Sequence, residues 1–399
     1  MHLTRFSPPL CWGEARSSPP WPSSLAWRLR GSVANVRRPL DAMWLMLLVA
    51  ACCSLGFGPP SLTESDSGLL PVRKAQLGQL GTGLPPNPAA QAALIMDMET
   101  GRPLLERNAR TQLAPASITK VMTAVVALEH GNLEDRVTAV ADDLVEGSSM
   151  GLQVGDTVTV EQLLWGMLLP SGNDAAQSLA RHIGGGSVDA FVRLMNEKAA
   201  ALLLANTKFA NPHGLDQAGH YSTAYDLAVL SRYAAAKPLF AKMAATKEFT
   251  VSLNRPLILR NTNQLLFASD VPGVNGIKTG FTDRAGDSLV ASANRDGRRV
   301  LVVVLGTQNR SSAAAGLIEF AYRFYAWVSL APGSGLLHDF GEVEQQRVMV
   351  PAWQRFYTRY TLERFQPPQA PGAANAPQGL LRVQVGRDEV AQQALYAHQ

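Results

Sequence analysis

The order of the predicted secondary-structure elements is the feature that most restricts the fold of this chain. Short β-like runs flank a long middle segment whose apolar residues recur at helical spacing, and a further helix follows the last run. This order predicts an α/β (α+β) fold, in which one sheet is flanked by a helical cluster. The predicted strands are residues 93–97, 103–106, 276–282, 288–294 and 299–305, the last two joined by an Asp296-Gly297 hairpin turn. The predicted helices are residues 115–129, 161–169, 174–183, 188–204, 223–236 and 313–328.

The end of the chain has a different composition and predicts a second, smaller domain. The sequence Ala-Pro-Gly-Ser-Gly at 331–335 is typical of a boundary, and β-like runs follow at 347–350 and 380–385 around a Pro/Ala-rich stretch. We therefore expect four parts: an extension and signal segment over 1–57, a linker over 58–87, a large domain over 88–331 and a small β-rich domain over 336–399.

Cysteine placement and charge exclude several classes of function. The three cysteines are Cys11, Cys52 and Cys53, so the folded body has no thiol for a disulfide framework, a zinc site or a catalytic nucleophile. The net charge is only +4, and the basic residues are dispersed rather than clustered. A nucleic-acid-binding protein would need a basic face or helix, so we expect no nucleic-acid partner.

The N-terminal region has the layout of a secretory signal. Arg37 and Arg38 precede an apolar stretch, 43–56, which ends in small residues and is shorter than the roughly 20 residues that span a bilayer. Such a signal would direct export of the protein and would be cleaved near the end of this stretch. An alternative stays open, because Val-Ala-Ala-Cys at 49–52 also resembles a lipoprotein cleavage site, with Cys52 as the lipidated residue.

A Ser-x-x-Lys motif, Ser117 to Lys120, lies at the start of the first predicted helix. The spacing of three places both side chains on one helix face. The other residues of this helix are mainly apolar, so the lysine is desolvated, which lowers its pKa and allows it to act as a base toward the serine hydroxyl. The simpler alternative is an N-terminal serine beside a surface lysine.

A Ser-x-Asn motif, Ser171 to Asn173, falls in the loop between two predicted helices. Both side chains are good helix N-caps. Taken alone, the motif therefore fits capping of the helix at 174 better than it fits a catalytic function.

A Lys-Thr-Gly motif, Lys278 to Gly280, lies on an extended segment beside the predicted hairpin. A lysine and a threonine on such a strand suit recognition of a carboxylate, and the glycine allows a substrate backbone to approach closely. The alternative is an edge strand that a lysine protects from pairing with other chains.

The three motifs together resemble one family. Their order, on helix, loop and strand, is that of penicillin-binding proteins and class A β-lactamases. Ser-Gly-Asn as the second motif, and the absence of Glu-x-x-Leu-Asn, favour the low-molecular-weight penicillin-binding proteins that act as D-alanyl-D-alanine carboxypeptidases. The resemblance covers residues 88–330, including 211–216 (Asn-Pro-His-Gly-Leu-Asp) and 221–228, and implies a sheet of the serine β-lactamase and penicillin-binding-protein type.

The resemblance implies a function for each matching residue. Ser117 would be the nucleophile, Lys120 its base, Ser171 a proton relay and Asn173 an orienting group for the substrate amide. The terminal carboxylate would bind to residues of the third motif and beyond it: Lys278, Thr279, Gly280 and Arg310. The backbone amides of Ser117 and Phe281 would form the oxyanion hole. His213 and Asp226 match positions near the active site, where a structural His–Asp pair is an equal alternative.

The implied enzyme needs no metal and no cofactor. Its substrates would be peptidoglycan stem peptides that end in D-Ala-D-Ala, and β-lactams would acylate it as substrate mimics. We expect a periplasmic location, and an association with the inner membrane through a peripheral contact stays open. Two alternatives also stay open: a D,D-endopeptidase that cuts cross-links, and a wall-binding protein without activity.

Overall fold

A five-stranded antiparallel sheet forms the centre of the protein, in the order β2-β1-β9-β8-β7. The computed structural model describes residues 86–329, 347–352, 354–365, 377–385 and 388–396. The strands of the described residues are β1 (Ala90–Asp97), β2 (Pro103–Arg107), β3 (Arg136–Thr138), β4 (Thr157–Thr159), β5 (Glu248–Ser252), β6 (Pro256–Arg260), β7 (Val274–Gly280), β8 (Asp287–Arg295), β9 (Arg298–Thr307), β10 (Tyr325–Ser329), β11 (Arg347–Pro351), β12 (Thr358–Arg364), β13 (Gly379–Val385) and β14 (Asp388–Leu395). The α-helices are α1 (Lys120–His130), α2 (Val160–Leu168), α3 (Asn173–Ile183), α4 (Val188–Ala201), α5 (Ala224–Ala235), α6 (Pro238–Ala245) and α7 (Arg310–Phe324).

Both faces of the central sheet are covered, which explains the nearly continuous apolar sequence of its middle strands. Side chains alternate between the two faces of a strand. On β9, for example, Leu301 and Val303 face the helical cluster of α1 to α6, whereas Val302 and Val304 pack with the residues of α7. The predicted architecture, a sheet with a helical cluster, is therefore confirmed.

The sheet register places the third motif at an edge. β7 is the outermost strand and pairs only with β8, where Lys278 lies opposite Val290. The β8–β9 hairpin turns at Asp296 and Gly297, which both have positive φ values, 55° and 76°. This pair of left-handed residues fits a type I′ turn, and the predicted hairpin is confirmed.

Two predicted helices have different ends in the structure. The helix expected over 115–129 begins with a 3₁₀ turn, Ala116–Thr119, and becomes α-helical only at Lys120. The helix expected over 313–328 ends at Phe324, and β10 follows it directly. Since β10 pairs with β11, tertiary pairing overrides an aromatic-rich sequence that fits either state.

A buried carboxylate joins the central sheet to the C-terminal strands. Asp97, at the end of β1, is fully buried and accepts hydrogen bonds from the backbone N–H of Met349 on β11 and from the Thr100 hydroxyl, at 3.0 and 2.8 Å. Burial raises the pKa of Asp97 above its ordinary value. Beyond β11, the strands β12, β13 and β14 form a separate three-stranded sheet.

Several predicted features lie outside the described residues. They are the signal segment with Cys52, the linker up to residue 85, the 331–335 boundary and the Pro/Ala-rich stretch up to residue 376. The division into a large and a small domain stays a prediction. In the part of the chain that the structure describes, no helix combines the length and the apolar character needed to span a membrane.

Candidate active site

Three distant segments of the chain meet at one small cleft of about 270 Å³. The segments are the 3₁₀ turn before α1, the loop between α2 and α3, and the end of β7. The predicted residues that line the cleft are Ser117, Ser171, Asn173, Thr279, Gly280, Phe281 and Arg310. Lys120 and Lys278 are buried, at 0 and 1% exposure. The three motifs are therefore brought together, as their order in the sequence predicted.

Local geometry aligns the first motif. Side chains three residues apart eclipse each other in a 3₁₀ turn, and here Lys120 Nζ lies 2.9 Å from Ser117 Oγ. The residue before the serine, Ala116, has a φ of 48°. Such a conformation costs about 1–3 kcal/mol for a residue other than glycine, so the surrounding structure holds this turn in place.

Lys120 has three oxygen partners, and a neutral amine can make all three contacts. Its Nζ donates to Asn173 Oδ1 at 2.7 Å and to the His213 carbonyl at 2.6 Å. Both are carbonyl oxygens, which can only accept. A neutral amine has two N–H donors, which these two oxygens use. Its lone pair is then free to accept the proton of the Ser117 hydroxyl.

The surroundings of Lys120 change its pKa in the same sense. Burial lowers the pKa of Lys120 well below the ordinary lysine value, and the positive charge of Lys278 lowers it further, while Asp174 opposes this shift. The sequence predicted this desolvation from the apolar residues of the helix. The alternative of a surface lysine is wrong.

The second motif supports the lysine rather than capping a helix. Asn173 is the first residue of α3, and the cap residue Gly172 makes no side-chain cap. The Asn173 amide instead accepts from Lys120 and donates through Nδ2 to the Glu146 carbonyl at 2.5 Å. Ser171 is buried at the cleft wall with a φ of 67°. The capping alternative for Asn173 is therefore wrong.

The glycine of the third motif allows two parts of the protein to approach each other. A Cβ on Gly280 would lie 3.1 Å from the Ala116 Cβ and 3.2 Å from the Ser117 nitrogen. Gly214 has even less space around it, since an added Cβ would lie 1.9 Å from the Ala116 carbonyl oxygen. Close approach of a substrate backbone was the predicted reason for Gly280. The approach that the structure contains is that of β7 to the turn that carries Ser117.

The two polar residues of the third motif face different surroundings. Thr279 lines the cleft, and its hydroxyl contacts the Thr262 hydroxyl. Lys278 is buried and donates to the Thr279 carbonyl at 3.2 Å. Burial lowers the pKa of Lys278 to about 7, and the charge of Arg310 contributes to this shift. A strand that uses a lysine for surface protection would expose it, so that alternative is wrong.

Two backbone amides at the cleft lack partners within the described residues. They belong to Ser117 and to Phe281, the residue that follows β7. The Phe281 side chain is 60% exposed, so an oxyanion-binding function would rest on its backbone alone. Two unpaired N–H groups beside a nucleophile are what an oxyanion hole requires.

Comparisons with known proteins agree with this geometry. The sequence profile of peptidase S11, described as D-alanyl-D-alanine carboxypeptidase, matches residues 81–309, more than half of the chain. The chain belongs to the D-alanyl-D-alanine carboxypeptidase family. The chain is 37% identical over 247 residues to the D-alanyl-D-alanine carboxypeptidase DacF of Bacillus subtilis, which is 59% of this chain and 63% of that protein. It thus spans slightly less than two thirds of this relative and of the D-alanyl-D-alanine carboxypeptidase DacC of Escherichia coli.

Solved structures of the carboxypeptidase family have the same fold. Penicillin binding protein 6B from Escherichia coli is 32% identical, with a TM-score of 0.65 over 79% of this chain and 98% of that one. Penicillin binding protein 5 from Haemophilus influenzae is 28% identical, with a TM-score of 0.67 over 79% of this chain and 98% of that one. The predicted fold class is confirmed.

Arg310 is positioned by a carboxylate in this member of the carboxypeptidase family. The residue opens α7, and its Nη1 lies 2.6 Å from Asp287 Oδ1 and 3.5 Å from the Gly280 carbonyl. The guanidinium is partly exposed and lines the cleft. Its positive charge is therefore present in the cleft but already paired.

His213 and Asp226 do not pair with each other in the structure. His213 contributes its carbonyl to Lys120, while burial lowers the pKa of its imidazole to about 3. Asp226 instead accepts hydrogen bonds from the Asn206 backbone and the Thr207 hydroxyl. The alternative of a structural His–Asp pair is wrong.

The sequence analysis missed three residues that support the site. His220 lies within 2.8 Å of the Thr119 hydroxyl, and its Nδ1 accepts from the Ala210 N–H. Asp174 accepts from the backbone N–H groups of Met150 and Leu152, which shapes a loop that also reaches the cleft. Thr262 lines the cleft opposite Thr279. None belongs to one of the three motifs, so only tertiary contacts identify them.

The described residues contain no group of three or more His, Cys, Asp or Glu side chains that could hold a metal ion.

Proposed function

We propose that this protein is a serine-type D-Ala-D-Ala carboxypeptidase, which removes the terminal D-alanine from peptidoglycan stem peptides through an acyl-enzyme on Ser117. The arrangement at Lys120 carries the proposal. A buried amine whose two N–H donors are taken by carbonyl oxygens, and whose remaining position faces a serine hydroxyl at 2.9 Å, is built to remove the proton of that hydroxyl.

The proposed reaction has two halves. Ser117 Oγ attacks the carbonyl carbon of the penultimate D-alanine while its proton moves to Lys120 Nζ. The backbone amides of Ser117 and Phe281 donate to the resulting oxyanion. The C–N bond then breaks, and the leaving D-alanine amine takes a proton from Lys120 by way of Ser171. Water next attacks the ester carbon, and its proton follows the reverse path to Lys120. The bond from this carbon to Ser117 Oγ breaks, Oγ takes the proton, and the shortened peptide leaves with a new terminal carboxylate.

Three groups are proposed to hold the terminal carboxylate of the substrate: Thr279, Lys278 and Arg310. Thr279 and Arg310 line the cleft, and Lys278 lies buried next to Thr279 in the chain, where its charge also acts on Lys120. Charge-assisted hydrogen bonds of this kind contribute about 1.5–3 kcal/mol each.

A covalent adduct tests the proposed nucleophile. Penicillin carries a strained amide and a carboxylate, so it should acylate Ser117 as a substrate mimic. Intact-mass analysis of the full-length protein is expected to show one penicillin adduct, and peptide mapping to place it on Ser117. Ser117→Ala should show none. An adduct that persists in this variant would contradict the assignment, and the absence of any adduct would favour a wall-binding protein without activity.

Product analysis tests the proposed substrate. The protein should release free D-alanine from a pentapeptide that ends in D-Ala-D-Ala, and it should cleave the corresponding amidated peptide poorly. Equal cleavage of both peptides, or faster cleavage of a cross-linked dimer, would favour the D,D-endopeptidase alternative.

An extracytoplasmic location follows from the proposed substrate. Export by the N-terminal signal segment would place the protein in the periplasm. Mass analysis of the mature N-terminus separates the alternatives, because ordinary cleavage leaves an unmodified end and lipoprotein processing leaves a lipid on Cys52.

A further inference from the structure

A second threonine lies beside the threonine of the third motif. Thr262 is half-buried, lines the cleft, and its hydroxyl oxygen lies 2.6 Å from the Thr279 hydroxyl oxygen. This is the only hydrogen bond of the Thr262 hydroxyl within the described residues. The two hydroxyls therefore act as a coupled pair at the wall of the cleft.

The backbone holds Thr262 between two of the motifs. Its N–H donates to the Leu169 carbonyl at 3.1 Å, two residues before Ser171. On either side, a buried asparagine fixes the segment: Asn261 Nδ2 donates to the Thr246 carbonyl and Asn263 Nδ2 to the Gly276 carbonyl on β7. The backbone of Thr262 is therefore held by both neighbouring segments.

A bound anion would decide which of the two threonine hydroxyls donates in the hydrogen bond between them. A hydroxyl has one proton to donate and can accept from another group. A carboxylate can only accept, so the Thr279 proton must point toward it. The Thr279 oxygen can then accept from a donor of its own, and Thr262 is the group in place to supply it. A chain of this kind polarises the bond to the anion and strengthens it.

The two cations of the site leave a larger share of recognition to these hydroxyls. Arg310 is already bound to Asp287 at 2.6 Å. Lys278 is buried, and within the described residues it donates a hydrogen bond to the Thr279 carbonyl. Neither cation offers the cleft an unpaired, fully exposed charge.

We propose that Thr262 is a positioning residue for recognition of a peptide α-carboxylate: its hydroxyl donates to Thr279, which in turn donates to the carboxylate. This inference rests on the proposed function for the identity of the ligand. It adds a residue that lies outside all three motifs and acts through another side chain.

Equilibrium binding to an inactive protein tests the inference without requiring turnover. The full-length Ser117→Ala protein would be titrated calorimetrically with an N-acylated peptide ending in D-Ala-D-Ala and with its C-terminal amide. Adding Thr262→Val keeps the shape and removes the hydroxyl, and we expect the free-acid Kd to rise about fivefold to tenfold, the range of one neutral hydrogen bond. The Kd of the amide should change by less than twofold.

Two further variants separate positioning from general damage. Thr262→Ser keeps the hydroxyl and should bind the free acid within twofold of the parent. Thr250→Val removes an exposed threonine of β5 and should change neither Kd. In the double variant with Thr279→Val, the Thr262→Val change should have almost no additional effect, since its partner is already absent.

Three results would overturn the inference: an unchanged free-acid Kd in Thr262→Val, equal weakening of acid and amide, or additive losses in the double variant. Failure of the proposed function would be seen in a different experiment: the protein with Ser117 intact would release no D-alanine. Should the parent bind acid and amide equally, carboxylate recognition itself is wrong, and the inference falls with it.

Discussion

Gly280→Ala is expected to slow acylation while leaving the fold intact. The new Cβ would lie 3.1 Å from the Ala116 Cβ, 3.2 Å from the Ser117 nitrogen and 3.3 Å from Ile118 Cγ1. These separations are a few tenths of an ångström shorter than ordinary contacts between such atoms. Because the backbone of Gly280 is not left-handed, alanine fits its conformation, and the strain appears as movement of β7 away from the nucleophile turn.

The size of the effect follows from where this movement acts. The next residue, Phe281, supplies one of the two proposed oxyanion donors, and Ser117 supplies the other. Loss of one such donor costs about 10²–10³ in rate. A shift of a few tenths of an ångström weakens the donor without removing it, so the acylation rate should fall about tenfold to a hundredfold. The assay is the second-order rate of labelling by a fluorescent penicillin.

A glycine elsewhere in the same domain provides the control. Gly316 lies on the exposed side of α7, with no atom within 4 Å of its added Cβ. Gly316→Ala should stabilise the helix by about 1 kcal/mol and leave acylation unchanged. If Gly280→Ala acylates at the parental rate with an unchanged Tm, then the close approach of β7 does not set the geometry of the site, and the reasoning is refuted.

Two further predictions concern titrating groups. Lys120→Arg keeps the charge, but arginine cannot deprotonate. The rate of penicillin labelling should therefore fall by the factor of about 10²–10⁴ that a general base contributes. A near-normal rate would mean that another group takes the proton. Burial lowers the pKa of His213 to about 3 and of His220 to about 4. The unfolded chain therefore binds more protons below pH 6.5, and stability is lost as the pH falls through this range. Urea unfolding at pH 7 and 4.5 measures how much the free energy of unfolding falls between the two pH values. This fall should be smaller in His220→Gln than in the parent, by about 2 kcal/mol. Equal falls in both proteins would contradict the prediction.

The sequence was most informative where one local pattern decides the structure. The Asp296-Gly297 turn allows a tight hairpin, and it forms between β8 and β9. The lysine of the first motif stands among apolar residues, which is enough to predict that Lys120 is buried. In both cases the deciding residues are close neighbours in the chain.

Other parts of the site depend on contacts between distant segments, which the sequence alone does not reveal. Asn173 is a good capping residue by type, yet Lys120 and the Glu146 carbonyl hold its amide. The partner of His220 is Thr119, about a hundred residues away. The aromatic run after Phe324 fits a helix and a strand equally well, and only its pairing with β11 makes it a strand.

The buried carboxylate of Asp97 has a consequence for how the chain can be divided. The family profile ends at residue 309, which invites a shortened version that stops after α7 or β10. Such a version would lose the Met349 amide and leave Asp97 buried with one donor fewer, a loss of about 1–3 kcal/mol. It would also uncover the apolar residues of the sheet side that Met349 packs against. The packed unit thus extends past residue 309, where the family profile ends, to β11, and expression designs for this protein should retain that strand.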